Sequence, residues 1–317
     1  MEEVSIMTYR DIAKIDPTRT TSLRNAFATD MSRRFLELSK VIKKSIVDQD
    51  CFGLNPNPLQ NYQMSPTPKE AFKFSRSSEK VDEFMVWLQL QVDRGLLEVG
   101  QFQQIGSALE SAWTNRYIFD SYKRGVIRAR HELKKAGYKI PSMDDTGGIE
   151  ASMSTPFHID RVGLLFTRTY NDLKGITAAM DAQISRILAQ GIADGDGPAL
   201  LARKIISTIN GGGADKLGIT DTLGRVIPAR RRATMLARTE IIRAHHMATI
   251  QEYRNWALEG VIVKGEWMTA GDERVCTRCE ALQGKIFTLD EIEPLIPLHP
   301  QCRCIALPYI EELQKYK

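Results

Sequence analysis

Cysteine is scarce in this chain of 317 residues: there are five, and four of them fall after residue 275. Cys51 stands alone, so the odd count argues against a fully paired extracellular disulfide framework. A reducing cytosol and a metal site fit that usage better. There is no run of about 20 apolar residues, which excludes a bilayer-spanning helix. The opening segment, MEEVSIMTYRDIAKIDPTR, is polar and acidic and has no apolar stretch of the kind a secretory leader needs. Excess charge is also lacking. Lys and Arg total 43 against 39 acids, a net +4, so the chain average does not mark a nucleic-acid binder and only local clusters could. Repeats, coiled-coil heptads and low-complexity tracts do not occur. What remains is ample apolar content, 43%, enough for sizeable cores and too high for global disorder.

The length suggests about two domains. Within 20–50, Leu23, Phe27, Met31, Phe35, Leu38 and Ile42 recur at three-to-four spacing and predict an amphipathic helix. Pro56, Pro58, Pro66 and Pro68 make 51–68 a loop. Residues 79–135 read as two long helices around a Gly95–Gly106 region. A polar Gly/Ser/Pro passage at 137–157 is the best boundary. Two helices are expected from His158 to about Gly195, another over DGDGPALLARKIISTI, and a hairpin or excursion through the permissive triple glycine at 211–213. A long helix then runs from about Ala229 to Gly260. Short strands follow in VIVKGEWMTA, ALQGKIF and CRCIALPYI. The predicted fold is mainly α-helical with a small C-terminal α+β module closed by a Cys/His knuckle. Its parts are a helical N-terminal domain (1–136), a linker (137–157), a helical core (158–260), the strand-containing module (261–310) and a tail (311–317).

The module carries the most specific chemistry. Cys276 and Cys279 form a C-x2-C, and His299, Cys302 and Cys304 follow in H-P-Q-C-R-C. Thiolates and imidazole at such spacings build tetrahedral zinc sites. Four places cannot hold five ligands. Cys276, Cys279, His299 and Cys304 form the expected set, with Cys302 as the alternative fourth. The choice rests on reach, since alternation in a strand would point Cys302 and Cys304 the same way. A closed site of this kind stabilises a small module and leaves no open position for substrate. Two disulfides are the competing chemistry. Asp272 and Arg274 are expected to shape the turn before the knuckle, and Gly284 the turn in ALQGKIF.

Arg225, Arg230, Arg231, Arg232, Arg238 and Arg243 face one acid, Glu240. Cations at a helix start oppose the helix dipole. That placement suggests an external anion, with Arg225, Arg230, Arg231, Arg232 and Arg238 contacting DNA phosphate. A solvated face with internal pairs such as Arg243–Glu240 is the plainer reading. Met235, Thr239, Ile242, His246, Thr249, Tyr253 and Trp256 mark one buried face of this helix. His246 is expected there as a packed histidine, and His245 to point elsewhere. A second basic cluster spans Arg116 to Lys135. Trp87 and Trp113 sit in helical patterns as core or interface residues. No catalytic residue is assigned.

Taken together, ARTEIIRAHH, TAGDERVCTRCEALQGKIF and HPQCRC resemble the phage Mu F-like head morphogenesis family, which includes minor head proteins related to that of phage SPP1. The resemblance is carried by Ala237 to Glu240, Asp272, Arg274, Cys276, Cys279, Leu282, Gly284, Phe287, His299, Pro300, Cys302, Arg303 and Cys304. It is strongest over about 225–306 and weaker back to about 155. It implies a non-enzymatic minor capsid protein in the virion, inside the head near the portal, and in the host cytoplasm during assembly. Implied partners are the portal protein and double-stranded phage DNA, with major capsid or scaffolding protein as further candidates and no membrane. The implied cofactor is one structural Zn2+ per chain. Some relatives carry an added toxin effector; the chain ending in EELQKYK is expected to lack one. Two other classes compete: a metal-dependent nucleic-acid-processing enzyme, which needs converging carboxylates or an open metal position, and a cellular DNA-binding regulator, which needs a groove-reading motif.

Overall fold

The computed structural model describes residues 16–54, 77–98, 104–105, 108–109, 112–211, 220–221, 224–257 and 263–309. The proline-rich stretch beyond residue 54, Gly106, Gly212, Gly213, Gly260 and the tail at 311–317 lie outside them. Nine α-helices are present among the described residues: α1 (Thr21–Lys43), α2 (Ser77–Val92), α3 (Asn115–Lys135), α4 (Gly148–Met153), α5 (Pro156–Ala193), α6 (Pro198–Asn210), α7 (Ala229–Ala257), α8 (Thr277–Glu280) and α9 (Leu289–Ile292). The strands are β1 (Gln104–Ile105), β2 (Ala108–Leu109), β3 (Lys264–Met268), β4 (Ile286–Phe287) and β5 (Ile305–Tyr309). The mainly helical class and the small C-terminal sheet match the sequence reading.

Contacts divide the chain into two compact units, each discontinuous in sequence. One comprises Met1–Phe27, Phe102–Thr169 and Met235–Lys317, the other Ala28–Gln101 and Tyr170–Thr234. In the second unit, Phe35, Leu38 and Ile42 keep the expected spacing and are buried. Phe52 packs against Phe84 of α2 with centroids 5.2 Å apart. Asn210, at the end of α6, donates to Ser39 Oγ at 2.8 Å. Both α1 and α2 widen into a π turn at their C-terminal ends, over Lys44–Asp48 and Asp93–Leu97. Asp181, on the α5 part of this unit, has a buried Oδ1 without a hydrogen-bond partner.

In the first unit, Ile118, Tyr122, Val126, Ala129 and Leu133 recur every three or four residues and form the buried stripe of α3. That stripe meets α7 at close range. A Cβ on Gly125 would lie 2.4 Å from the His245 carbonyl oxygen and 2.7 Å from Ala248 Cβ. Ser121 Oγ donates to the Ile241 carbonyl at 2.6 Å. Small residues on α7 (Ala237, Ala244, Ala248) are fully buried, as are Ile241, Ile242, Ile250 and Tyr253. The helix is therefore covered on more than one side, not on a single face. His245 is buried like His246.

The three-stranded antiparallel sheet has the order β4-β3-β5. β3 pairs with β5 along its full length, Lys264 opposite Tyr309 and Met268 opposite Ile305. Gly284 turns the chain before β4 with φ +72°, and its N–H donates to the Trp267 carbonyl at 2.8 Å. The sheet does not pack alone. Trp267, Ile292, Ile296, Cys279, Cys302 and Cys304 share one core with Ala129 and Leu133 of α3 and with Ile242, Ile250 and Tyr253 of α7.

Three local expectations differ. Pro156–Ala193 form one 38-residue helix, α5, because Gly163, Gly175 and Gly191 all keep helical backbone and no proline follows Pro156 within it. The passage at 137–157 holds a 3-10 turn (Asp144–Thr146) and α4. Strand β5 begins at Ile305, so Cys302 and Cys304 lie on its irregular approach, and strand alternation does not decide between them.

Candidate metal centre

The knuckle is built by α8. Cys276 is its N-cap, and its sulfur accepts the Cys279 N–H at 3.4 Å. Upstream, Asp272 holds the approach. Its Oδ1 accepts the Arg274 N–H at 3.1 Å, and its two oxygens receive both Arg303 Nη atoms at 2.5 and 2.7 Å. That fork ties the loop before the first cysteine pair to the residue between the second pair. The Arg303 bonds, ahead of burial, hold the Asp272 carboxyl well below the usual carboxylate range.

His299 reaches both sulfurs of the knuckle. Its Nε2 lies 3.3 Å from Cys276 Sγ and 3.2 Å from Cys279 Sγ. Its Nδ1 is 2.9 Å from the Pro300 carbonyl. A carbonyl only accepts, so Nδ1 carries the proton, and in the neutral ring Nε2 presents a lone pair to the sulfurs. This is the usual way a metal-ligating histidine is oriented. Cys276, Cys279 and His299 donor atoms all lie within 4.8 Å of one another, and so do the sulfurs of Cys279, Cys302 and Cys304. Cys279 belongs to both groups, with Cys302 Sγ 4.0 Å away. Around a tetrahedral zinc, with bonds near 2.3 Å to sulfur and 2.0–2.1 Å to nitrogen, neighbouring donors sit about 3.5–3.8 Å apart. The spacings of Cys276, Cys279 and His299 fit three corners of such an ion, while neither Cys302 nor Cys304 comes within 4.8 Å of all three of those donors.

The protons on this cluster are unevenly placed. The hydrogen bond from Cys304 pulls Cys302 down to about 5. Burial, with the Cys302 charge behind it, pushes Cys279 up to about 12. The Cys279 backbone N–H lowers Cys276. Metal binding would release the thiol protons.

A basin of about 590 Å³ opens beside His299 and Pro300, lined by Arg24, Arg238, Arg274, Arg303, Asp16 and Asp272 among others. Sequence reading placed Arg238 among DNA contacts and Arg274 and Asp272 in a turn; it did not foresee Arg24 or Asp16 here. The remaining arginines of the basic helix differ in setting. Arg225 is paired with Asp221 at 2.7 Å. Arg231 is exposed in the first turn of α7, while burial lowers Arg232. Arg230 Nη2 approaches the Asn210 carbonyl at 3.5 Å. Arg243 pairs with Glu240 at 3.1 Å, as the plainer reading held. His246 Nε2 meets the Ile292 carbonyl at 3.2 Å in the core.

Sequence reasoning also missed a buried polar network. Glu252, 1% exposed, takes Arg130 Nε at 2.5 Å and Trp256 Nε1 at 2.9 Å, and lies 3.4 Å from His158 Nε2. Tyr122 Oη lies 2.9 Å from His158 Nδ1. Arg130 also donates to Thr146 and Ser152. Much of the second basic cluster is thus spent on internal pairs, including Lys123 with Glu150 and Arg128 with Glu132. Separations of 122 and 36 residues between partners leave no local spacing signal to read. Trp113 sits edge-on to Phe27 at 5.6 Å, and Trp87 packs on Phe84 at 5.1 Å.

Residues 182–307 match the family model described as Phage Mu protein F like protein. No curated protein and no solved structure matches the chain. The matched span runs from within α5 to β5 and contains the whole Cys/His cluster, the Asp272–Arg303 fork and α7.

Proposed function

We propose, from the match of residues 182–307 to the Phage Mu protein F like model, that this chain is a minor head protein acting in procapsid assembly and in DNA packaging or ejection, associated with the portal. The observation that carries the reading is that the family-matched span is also where the Cys/His cluster closes a core shared by α3, α7 and the sheet. A rigid, internally closed element suits an assembly component. No helix among the described residues is long and apolar enough to cross a membrane.

In this reading the ion is a structural Zn2+, held by Cys276, Cys279 and His299, with Cys304 or Cys302 as the fourth ligand. Four protein ligands leave no position for water or substrate, so the chain is not a metal-dependent enzyme. Arg225, Arg230, Arg231, Arg232 and Arg238 supply phosphate contacts to packaged DNA. Quantitative mass spectrometry of purified procapsids and mature virions, with co-purification on tagged portal protein, tests the proposal. A few copies per head retained with the portal are expected. Absence from both particles would overturn it.

A further inference from the structure

The basin beside the knuckle has an electrostatic imbalance that its own residues do not resolve. Arg24, Arg238, Arg274 and Arg303 line it against two carboxylates, Asp16 and Asp272. Arg303 is used by Asp272 and Arg24 by Asp16 at 2.5 Å, and Arg274 reaches the already engaged Asp272 at 3.1 Å. Arg238 has a neutral partner, Gln301, at 3.0 Å. The side chain of Arg24 is only 9% exposed, yet its Nε, like that of Arg238, is buried without a hydrogen-bond partner. Burial comes first in lowering Arg24, and the charges of Arg303 and Arg238 act in the same direction, so these guanidiniums repel one another. A divalent ion held by three thiolates and an imidazole would carry a net charge of about −1, which still leaves the basin positive.

We propose that this basin is a binding site for a phosphate group, gripped by Arg238 and Arg274 with Arg24 and Arg303 beneath them. Guanidinium forks match phosphate oxygens in pairs, and an anion there would relieve the mutual repulsion. The volume is that of a small-molecule site. The lining has no Phe, Tyr or Trp on which a base could stack, and its one imidazole, His299, is engaged with the Cys276 and Cys279 sulfurs, so recognition falls on the phosphate and not on the base. Arg238 is shared with the DNA contacts proposed above, but the site depends neither on the virion assignment nor on the arginines at the start of α7. Free phosphate compounds and a nucleic-acid strand present the same chemistry to it.

The test is calorimetric titration of the metal-loaded full chain with pyrophosphate at constant ionic strength, for wild type, Arg238→Gln and Arg274→Gln. Saturable binding is expected, weakened about tenfold or more in each variant, the loss of one charge-assisted bond. Both variants should melt with the wild type when no phosphate is present, because neither side chain carries a buried ion pair. Competition by a 5′-phosphorylated oligonucleotide but not by its 5′-hydroxyl form would identify a strand end as the source. Equal competition by both would identify the diester backbone, and competition by neither a free phosphate compound; all three support the site. No saturable pyrophosphate binding, or binding unchanged in both variants, overturns it.

Discussion

Replacing Gly125 with alanine sets two known effects against each other. Alanine is worth about 1 kcal/mol more than glycine inside a helix, so α3 alone would gain. The added methyl, however, would sit 2.4 Å from the His245 carbonyl oxygen, 2.7 Å from Ala248 Cβ and 3.1 Å from the His245 carbonyl carbon. Two of those atoms are backbone in the middle of α7 and cannot rotate away. Relief requires α3 and α7 to part by about 1 Å, and overpacking of this order costs about 1–3 kcal/mol or more. The packing term wins, and Gly125→Ala should lose about 1–2 kcal/mol net, or several degrees in Tm. Gly163→Ala is the matched control, since a Cβ on Gly163 meets nothing within 4 Å. It should gain up to about 1 kcal/mol. Because Ala129 and Leu133 of α3 share the core with Cys279, Cys302 and Cys304, Gly125→Ala should also release metal to a chelator faster. Thermal and urea unfolding of the three proteins check the argument. A Gly125→Ala protein as stable as the Gly163→Ala protein would refute the close helix crossing.

Three further outcomes follow from buried and charged groups. Burial, with Asp93 adding to it, pushes Asp181 up to about 7, so the folded state binds a proton that the unfolded state releases near 4. That contribution is present at low pH and lost as pH rises to about 7. It is worth about 1–2 kcal/mol after allowance for solvent screening. Asp181→Asn should flatten the fall in Tm over this window, and an identical profile would contradict the assignment. Burial lowers His246 to about 4 and His245 to about 3. Their contribution is present above about 6.5 and lost as pH falls toward those values, so acid unfolding should steepen below pH 6 in the Asp181→Asn background and soften when His246 becomes Gln. Neutralising Arg230, Arg231 and Arg232 together should weaken DNA binding and reduce its log-log salt slope by up to about 3; an unchanged slope removes these residues from the phosphate contacts.

The parts of this molecule visible in its sequence are those governed by short spacing. The helical period of Leu23 to Ile42 and of α3, the C-x2-C knuckle, the φ-positive turn at Gly284 and the strands at 264–268 and 305–309 each depend on neighbours within a few residues. The alliance of the sheet with α3 and α7 did not show, because Trp267 shares its core with Ala129 and Leu133, far back in the chain, and Tyr253 bonds the Ala306 carbonyl 53 residues on. The arginine basin was half visible: Arg238, Asp272 and Arg274 stood out as motif residues, but Arg24 and Asp16 arrive from the other end of the chain. Ala237 was visible only as part of a motif and Ala244 and Ala248 gave no spacing signal, yet all three are buried and let α7 be covered on several sides.

The measurement that bears most directly on the account is metal content together with thiol state on one purified, untagged sample, by elemental analysis and by intact mass without reductant. The account predicts about one zinc per chain and the mass of a fully reduced chain. Loss of the zinc in Cys276→Ser and Cys279→Ser, and in whichever of Cys302→Ser or Cys304→Ser removes the fourth ligand, would complete the ligand set. A metal-free protein lighter by four hydrogens, with two internal disulfides, would contradict it.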